Sequence, residues 1–154
     1  METYNEKLIR LNNEITEKRE AAFQRFNEQQ KRINDAKEID GRRYDETKKN
    51  LQIELDKAIE QQNELKKNGF ADFSDAIAAT KATIRDIHKR QFESKTAFMN
   101  KIREYAKARN ELVLAYREEK LAIGRYKSER LLQIEAEERE RKELLSLSNE
   151  EKEN

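Results

Sequence analysis

His88 is the only histidine in the chain, and the sequence contains no cysteine. A metal ion held on one helix needs further ligands three or four residues away, because only those side chains share a face. Around His88 those positions hold Ile84, Arg85, Gln91 and Phe92, none of them a carboxylate, thiolate or second imidazole. No Glu-x-x-His pair occurs, so the di-iron carboxylate bundles are not expected, and His88 is read as structural or solvent-facing. No serine or threonine is marked by an accompanying base, and no glycine-rich phosphate loop is present. The expectation is a protein that is not an enzyme, with no catalytic, cofactor-binding or metal-binding residues and no small-molecule substrate.

Charge is the more informative chemistry. The chain has 33 basic and 32 acidic residues, evenly mixed over most of its length. Residues 81–109 are an exception, with nine cations (Lys81, Arg85, Lys89, Arg90, Lys95, Lys101, Arg103, Lys107 and Arg109) against Asp86, Glu93 and Glu104. Residues 127–154 lean the other way, with six basic and nine acidic side chains. A basic run interleaved with Phe92, Phe98 and Tyr105 can meet phosphate or an acidic protein surface. The competing reading is that the aromatics are core and the cations merely flank them. The opposed charges can also set register between subunits stacked middle against tail.

These residues must be positioned by helices. The chain has no proline and only three glycines, Gly41, Gly69 and Gly124, so nothing in it forbids long uninterrupted helix. In the first segment Tyr4, Leu8, Leu11, Ile15, Ala22, Phe26, Ile33, Tyr44, Leu51, Leu55, Ala58 and Leu65 share one face. Leu8 maps onto Phe26 and Tyr44 in steps of 18 residues, which is five turns at 3.6 residues per turn. The phase survives Gly41, where a mild kink is the most expected.

Lys66-Lys67-Asn68-Gly69-Phe70 reads as a helix end: cations at the negative pole, glycine at the left-handed position, and Phe70 packing back. Asp72 or Ser74 then caps the next helix. There Phe73, Ile77, Thr80, Ile84, Ile87, Gln91, Ser94 and Phe98 follow a heptad, which slips by four residues and resumes at Ile102, Tyr105, Leu112, Tyr116, Ile123 and Tyr126. A second stripe, Phe92, Met99, Ala106 and Val113, repeats every seven residues beside the first. One partner helix covers one seam, so the second stripe predicts a second contact surface. Ala71, Ala76, Ala78, Ala79 and Ala82 are expected to allow close backbone approach near the turn.

The predicted fold is all-α: a long antiparallel, coiled-coil-like helical hairpin, or alternatively a compact three- or four-helix bundle folding back at Gly41 and Gly124. Helix 1 is placed at about 3–67, the turn at 68–74 and helix 2 at about 75–147, as one hairpin over 1–147 with a flexible tail at 148–154. Leu, Ile, Val and Phe number 32, too few for a wide core but enough for thin helices that each bury one stripe. The longest apolar run, Leu112–Tyr116, is far short of the roughly 20 residues of a membrane span. The charged first ten residues do not read as a signal peptide. A soluble protein, cytoplasmic or inside a virion and without a membrane partner, is expected.

In build, the chain resembles the scaffolding and inner-core proteins of small tailed bacteriophages: short, almost wholly helical, cysteine-poor and highly charged. That resemblance implies a structural protein that oligomerises or binds a larger shell, its partners being copies of itself or a coat protein. It also implies a charged terminal helix, here Lys127 to Leu147, gripping the partner through Leu131, Leu132, Leu144 and Leu145. The second stripe adds Phe92, Met99 and Val113 to the expected partner-binding residues. The basic 81–109 segment would then face packaged DNA. The chain is similar in build, too, to the coiled-coil stalk proteins of flagellar and type III export ATPases, whose free termini enter a ring. Leu121-Ala122-Ile123-Gly124-Arg125-Tyr126 and the run after it would occupy the insertion end. A nucleic-acid-binding helical protein acting through 81–109 is the third expectation.

Overall fold

A computed structural model describes residues 1–153 of the chain, which form two helices, α1 (Tyr4–Lys67) and α2 (Asp75–Glu153), and no strand. The protein is an all-α helical hairpin; the three- or four-helix bundle is not formed. Gly41 and Gly124 sit inside unbroken helix, and only Gly69 takes a positive φ.

Both ends of α1 and the start of α2 are built by local hydrogen bonds. Thr3 Oγ1 accepts from the Glu6 amide at 3.2 Å while Glu6 Oε2 accepts from the Thr3 amide at 3.2 Å, a reciprocal cap that starts α1. At the other end Gly69, with φ 89°, donates to the Lys66 carbonyl, and Phe70 donates to Leu65. These two bonds are a Schellman cap, which needs the left-handed conformation that glycine adopts without strain. Ser74 rather than Asp72 caps α2, its Oγ accepting from the Ile77 amide at 3.3 Å.

The chain divides into two compact units. In the terminal unit (Met1–Gln30 with Asn110–Asn154), partners on α2 descend as those on α1 ascend. Lys7 pairs with Glu137 at 2.9 Å, Glu14 accepts from Tyr126 at 2.6 Å, and the Phe26 ring stacks on Tyr116 at 4.6 Å. That order makes the pair antiparallel. Its core is Leu11, Ile15 and Ala22 against Ile123 and Ile134, with Tyr4, Leu8 and Leu131 packed on it. Full burial of each such isoleucine contributes roughly 1.5–3 kcal/mol.

In the turn unit (Lys31–Arg109) the helices are again antiparallel. Asp40 accepts from Tyr105, Tyr44 stacks on Phe98 at 4.3 Å with the rings parallel, and Glu54 meets Arg90 at 2.9 Å. Nearer the turn the core is aliphatic, with Leu55, Ala58, Ile84 and Ile87 in one cluster and Leu51 and Ile77 also buried. Thr80 is buried beside them and satisfies its hydroxyl on the Ile77 carbonyl at 2.7 Å. Farther from the turn, no residue of 31–50 or 88–109 is fully buried, and the aromatic stack and the Tyr105–Asp40 bond fill the seam instead.

Four expectations need correction. Phe73 is almost fully exposed, because it lies in the turn before α2, where helical periodicity does not apply. Of the five alanines near the turn only Ala76 is even half-buried, so they do not draw the backbones together. The end expected to be flexible from 148 is helical as far as Glu153, continuing the α2 hydrogen-bond ladder; Asn154 lies outside the described residues. Phe70, expected to pack back on α1, keeps 47% of its surface exposed, because the Schellman bonds close the cap without requiring its ring.

Candidate partner-docking surface

The turn unit carries a basic strip on the outer side of α2. Successive helical residues turn by about 100°, so Lys81, Arg85, Phe92, Met99 and Arg103 fall on one face, with Lys95 and Lys107 at its edges. Phe92 is 70% and Met99 45% exposed, although both are large and apolar. Asp86, Glu93 and Glu104 stack in a separate ridge about a third of a turn away. The strip itself therefore carries no acid.

All nine cations expected to contact nucleic acid are exposed. Three of them are engaged: Arg90 with Glu54 and Asp86, Lys101 with Asp40, and Lys89 with Glu93 at 3.9 Å. Among the described residues Lys81, Arg85, Lys95, Arg103, Lys107 and Arg109 make no ion pair. Lys48 of α1 and Lys95 of α2 also line one groove between the helices, floored by Tyr44, Leu51 and Ser94. Counted over its whole span, the turn unit has 19 basic and 14 acidic residues and the terminal unit 14 and 18.

In the terminal unit α2 outruns α1. Tyr4, in the first turn of α1, lines one open surface groove with Leu132, Glu135, Glu138 and Lys142. Every residue from Arg141 to Glu151 is exposed, including Leu144, Leu145 and Leu147. Leu132 is 64% exposed as well. Two of the expected anchors behave differently. Leu131 packs on the terminal core and Val113 is half-buried, so neither is free for a partner as Leu132, Leu144 and Leu145 are. Leu131 turns inward because Ile134, three residues on and 1% exposed, holds that face of α2 in the core.

Leu114, exposed, was not among the residues expected to bind, and Leu121, exposed as well, was expected only at the insertion end of a stalk. Their seven-residue spacing was the available signal, and it is the spacing of Phe92 and Met99. The capping box Thr3-Tyr4-Asn5-Glu6 was equally readable and also missed.

Polar chemistry at the seam is structural. Glu14 and Asp40 each accept from a tyrosine across the helix pair, and this bond is the main reason their carboxyls titrate below the ordinary range. The same bonds hold the Tyr126 and Tyr105 phenols above theirs. Lys18 lies 3.7 Å over the Tyr126 ring, adding a cation–π contact. His88 Nδ1 lies 3.2 Å from Gln91 Oε1 on the exposed surface. Among the described residues no three His, Asp or Glu side chains converge as metal ligands, and no helix is long and apolar enough to cross a membrane.

Scans against protein-family models, curated proteins and solved structures find no match.

Proposed function

We propose that the protein is a non-enzymatic assembly protein, a helical hairpin that grips other protein subunits with the end of α2. One observation carries this reading. Beyond Lys142 α2 continues for about three turns with nothing from α1 packed on it, and it holds three exposed leucines there. So short a stretch of lone helix is marginal in water, and covering its leucines would stabilise both the helix and a complex. A phage scaffolding or inner-core virion protein, gripping its shell with a charged terminal helix, is the form of this reading we adopt.

A second reading is favoured by a separate observation. Residues 1–30 of the chain pair with 110–153 in the terminal unit, where Lys7 ties α1 to Glu137 beside the projecting helix. That arrangement suits the stalk of an export ATPase, whose free ends enter a ring. Nucleic-acid binding through 81–109 is less favoured, because an apolar row runs down the middle of the cationic strip and three of the nine cations are already paired.

The test is purification of the native protein with whatever it holds, followed by mass measurement, for the full chain and for a chain ending at residue 139. Retention of a shell protein or particle by the full chain alone supports the assembly reading. Retention of an ATPase supports the stalk. A partner held equally by both chains overturns the role given to the end of α2.

A further inference from the structure

The end of α2 and the basic strip are complementary in both charge and apolar order. On the projecting helix Glu140, Leu144, Leu147 and Glu151 are spaced by four, three and four residues, which places them on one face. That face reads acid, leucine, leucine, acid. On the turn unit the strip reads Arg85, Phe92, Met99, Arg103: cation, apolar, apolar, cation. All eight side chains are exposed, the apolar Phe92 and Met99 keeping 70% and 45% of their surface and Leu144 and Leu147 61% and 56%. Residues 135–151 hold seven acids against three cations, whereas 81–109 hold three acids against nine.

We infer that the strip is the docking site for the projecting α2 end of a second copy of this chain. The inference rests on the proposed assembly role and names the partner for that same end. The two leucines, about 4.5 Å apart along their helix, bury in the gap between Phe92 and Met99, about 10.5 Å apart on theirs, and Arg85 and Arg103 reach inward along the strip to the flanking glutamates. Covering heptad-spaced apolar residues with a third helix is ordinary coiled-coil packing, with flanking charges choosing the partner. A nucleic acid backbone would use the cations but leave the apolar row unused, which is why a helix is the better occupant. The two faces of the contact differ, so it is heterologous, and repeated head to tail it builds a ring or a filament.

The test uses two variants of the full chain, R85E/R103E and E140K/E151K, whose changed positions lie outside the hairpin seam. Mass is measured by sedimentation over a range of protein concentrations at an ionic strength of about 0.1 M and again at about 1 M, where the Debye length falls from about 10 Å to about 3 Å. The wild-type chain should form multiples of the monomer that grow with concentration and shrink in high salt. Each variant alone should remain monomeric with unchanged helical circular dichroism. An equimolar mixture should reassemble, because each chain then meets a face of opposite charge on the other.

A wild-type chain that stays monomeric throughout, a variant that associates as well as wild type, or a mixture that stays monomeric overturns the self-docking. So does binding of a labelled DNA duplex that is lost in R85E/R103E while no chain changes its mass. In those cases the assembly reading is judged separately, by whether the chain ending at residue 139 loses its native partner.

Discussion

The Tyr126 hydroxyl donates to the Glu14 carboxylate at 2.6 Å across the two helices of the terminal unit, and the turn unit repeats the device with Tyr105 and Asp40. In both, a carboxylate of α1 is held by a phenol of α2 while a lysine, Lys18 or Lys101, stands within 4 Å of the same carboxylate. The tyrosine rings supply apolar seam, and their hydroxyls join the helices at the edge of it.

This arrangement sets the acid limb of stability. Glu14 is held below the ordinary carboxylate range by Tyr126, Asp40 by Tyr105, Glu137 by Lys7 and Glu138 by Arg141. The folded state therefore binds protons at these groups more weakly than the unfolded one. The stability they contribute is complete above the ordinary carboxylate values and is lost as pH falls through the depressed ones. The thermal midpoint should be flat between about pH 6 and pH 8 and should fall below about pH 4. A midpoint equal at pH 6 and pH 3 by circular dichroism would refute this.

The alkaline limb runs through the tyrosines. Tyr105 and Tyr126 are raised by their carboxylate partners, so folding favours the neutral phenols. Stability should be intact below the ordinary tyrosine value of about 10 and decline as pH rises through the raised values. Tyr126→Phe should weaken this decline and return Glu14 toward its ordinary titration, which a carboxyl-resolved NMR titration reads. An unchanged Glu14 titration in that variant would show that the bond does not form in solution.

The three glycines should respond with opposite signs. A Cβ at Gly41 or Gly124 meets nothing within 4 Å and sits in helix interior, so alanine there should stabilise the protein, by up to about 1 kcal/mol at each site. Gly69 also has open space, but its φ is +89°, so alanine should destabilise by about 1 kcal/mol. Chemical denaturation of the three single variants decides the matter. A stabilised Gly69→Ala would contradict the Schellman cap.

Seam and surface should separate cleanly on substitution. Ile87 is 1% exposed, and Ile87→Ala should cost about 2–4 kcal/mol. Leu144→Ala, on the projecting end, should change the stability of the isolated chain by less than about 0.5 kcal/mol while weakening association. Val113→Asp is expected to lower stability as well as association, because Val113 is half-buried rather than free. Equal losses of helix stability for Leu144→Ala and Ile87→Ala would mean that the end of α2 is packed within the chain.

Within an aromatic stack the two rings should couple. Phe26 stacks on Tyr116 at 4.6 Å and Tyr44 on Phe98 at 4.3 Å, and the members of the two stacks are 18 residues apart along each helix. A double-mutant cycle on Tyr44→Ala and Phe98→Ala should return about 0.5–1.5 kcal/mol of coupling. Strict additivity would show that the rings do not interact beyond their burial.

The amino-acid sequence by itself determined the helices, the turn and almost the whole seam. Absence of proline, the 18-residue repeat and Lys66-Lys67-Asn68-Gly69 act locally, through backbone sterics and periodic burial, so they are readable without a fold. Ile77, Ile87, Leu55 and Ile123 are buried where the periodicity puts them. Only the tertiary structure decided which apolar residues remain uncovered. Leu131 and Leu132 are adjacent and chemically identical, yet one packs on the terminal core and the other is exposed. The difference is which face of α2 the pairing with α1 covers: Leu131 shares the face that Ile134 holds in the core, and Leu132, about 100° farther round, does not. The pairing of α1 with α2 leaves the last turns of α2 without a neighbour, and it is there that a function has to be sought.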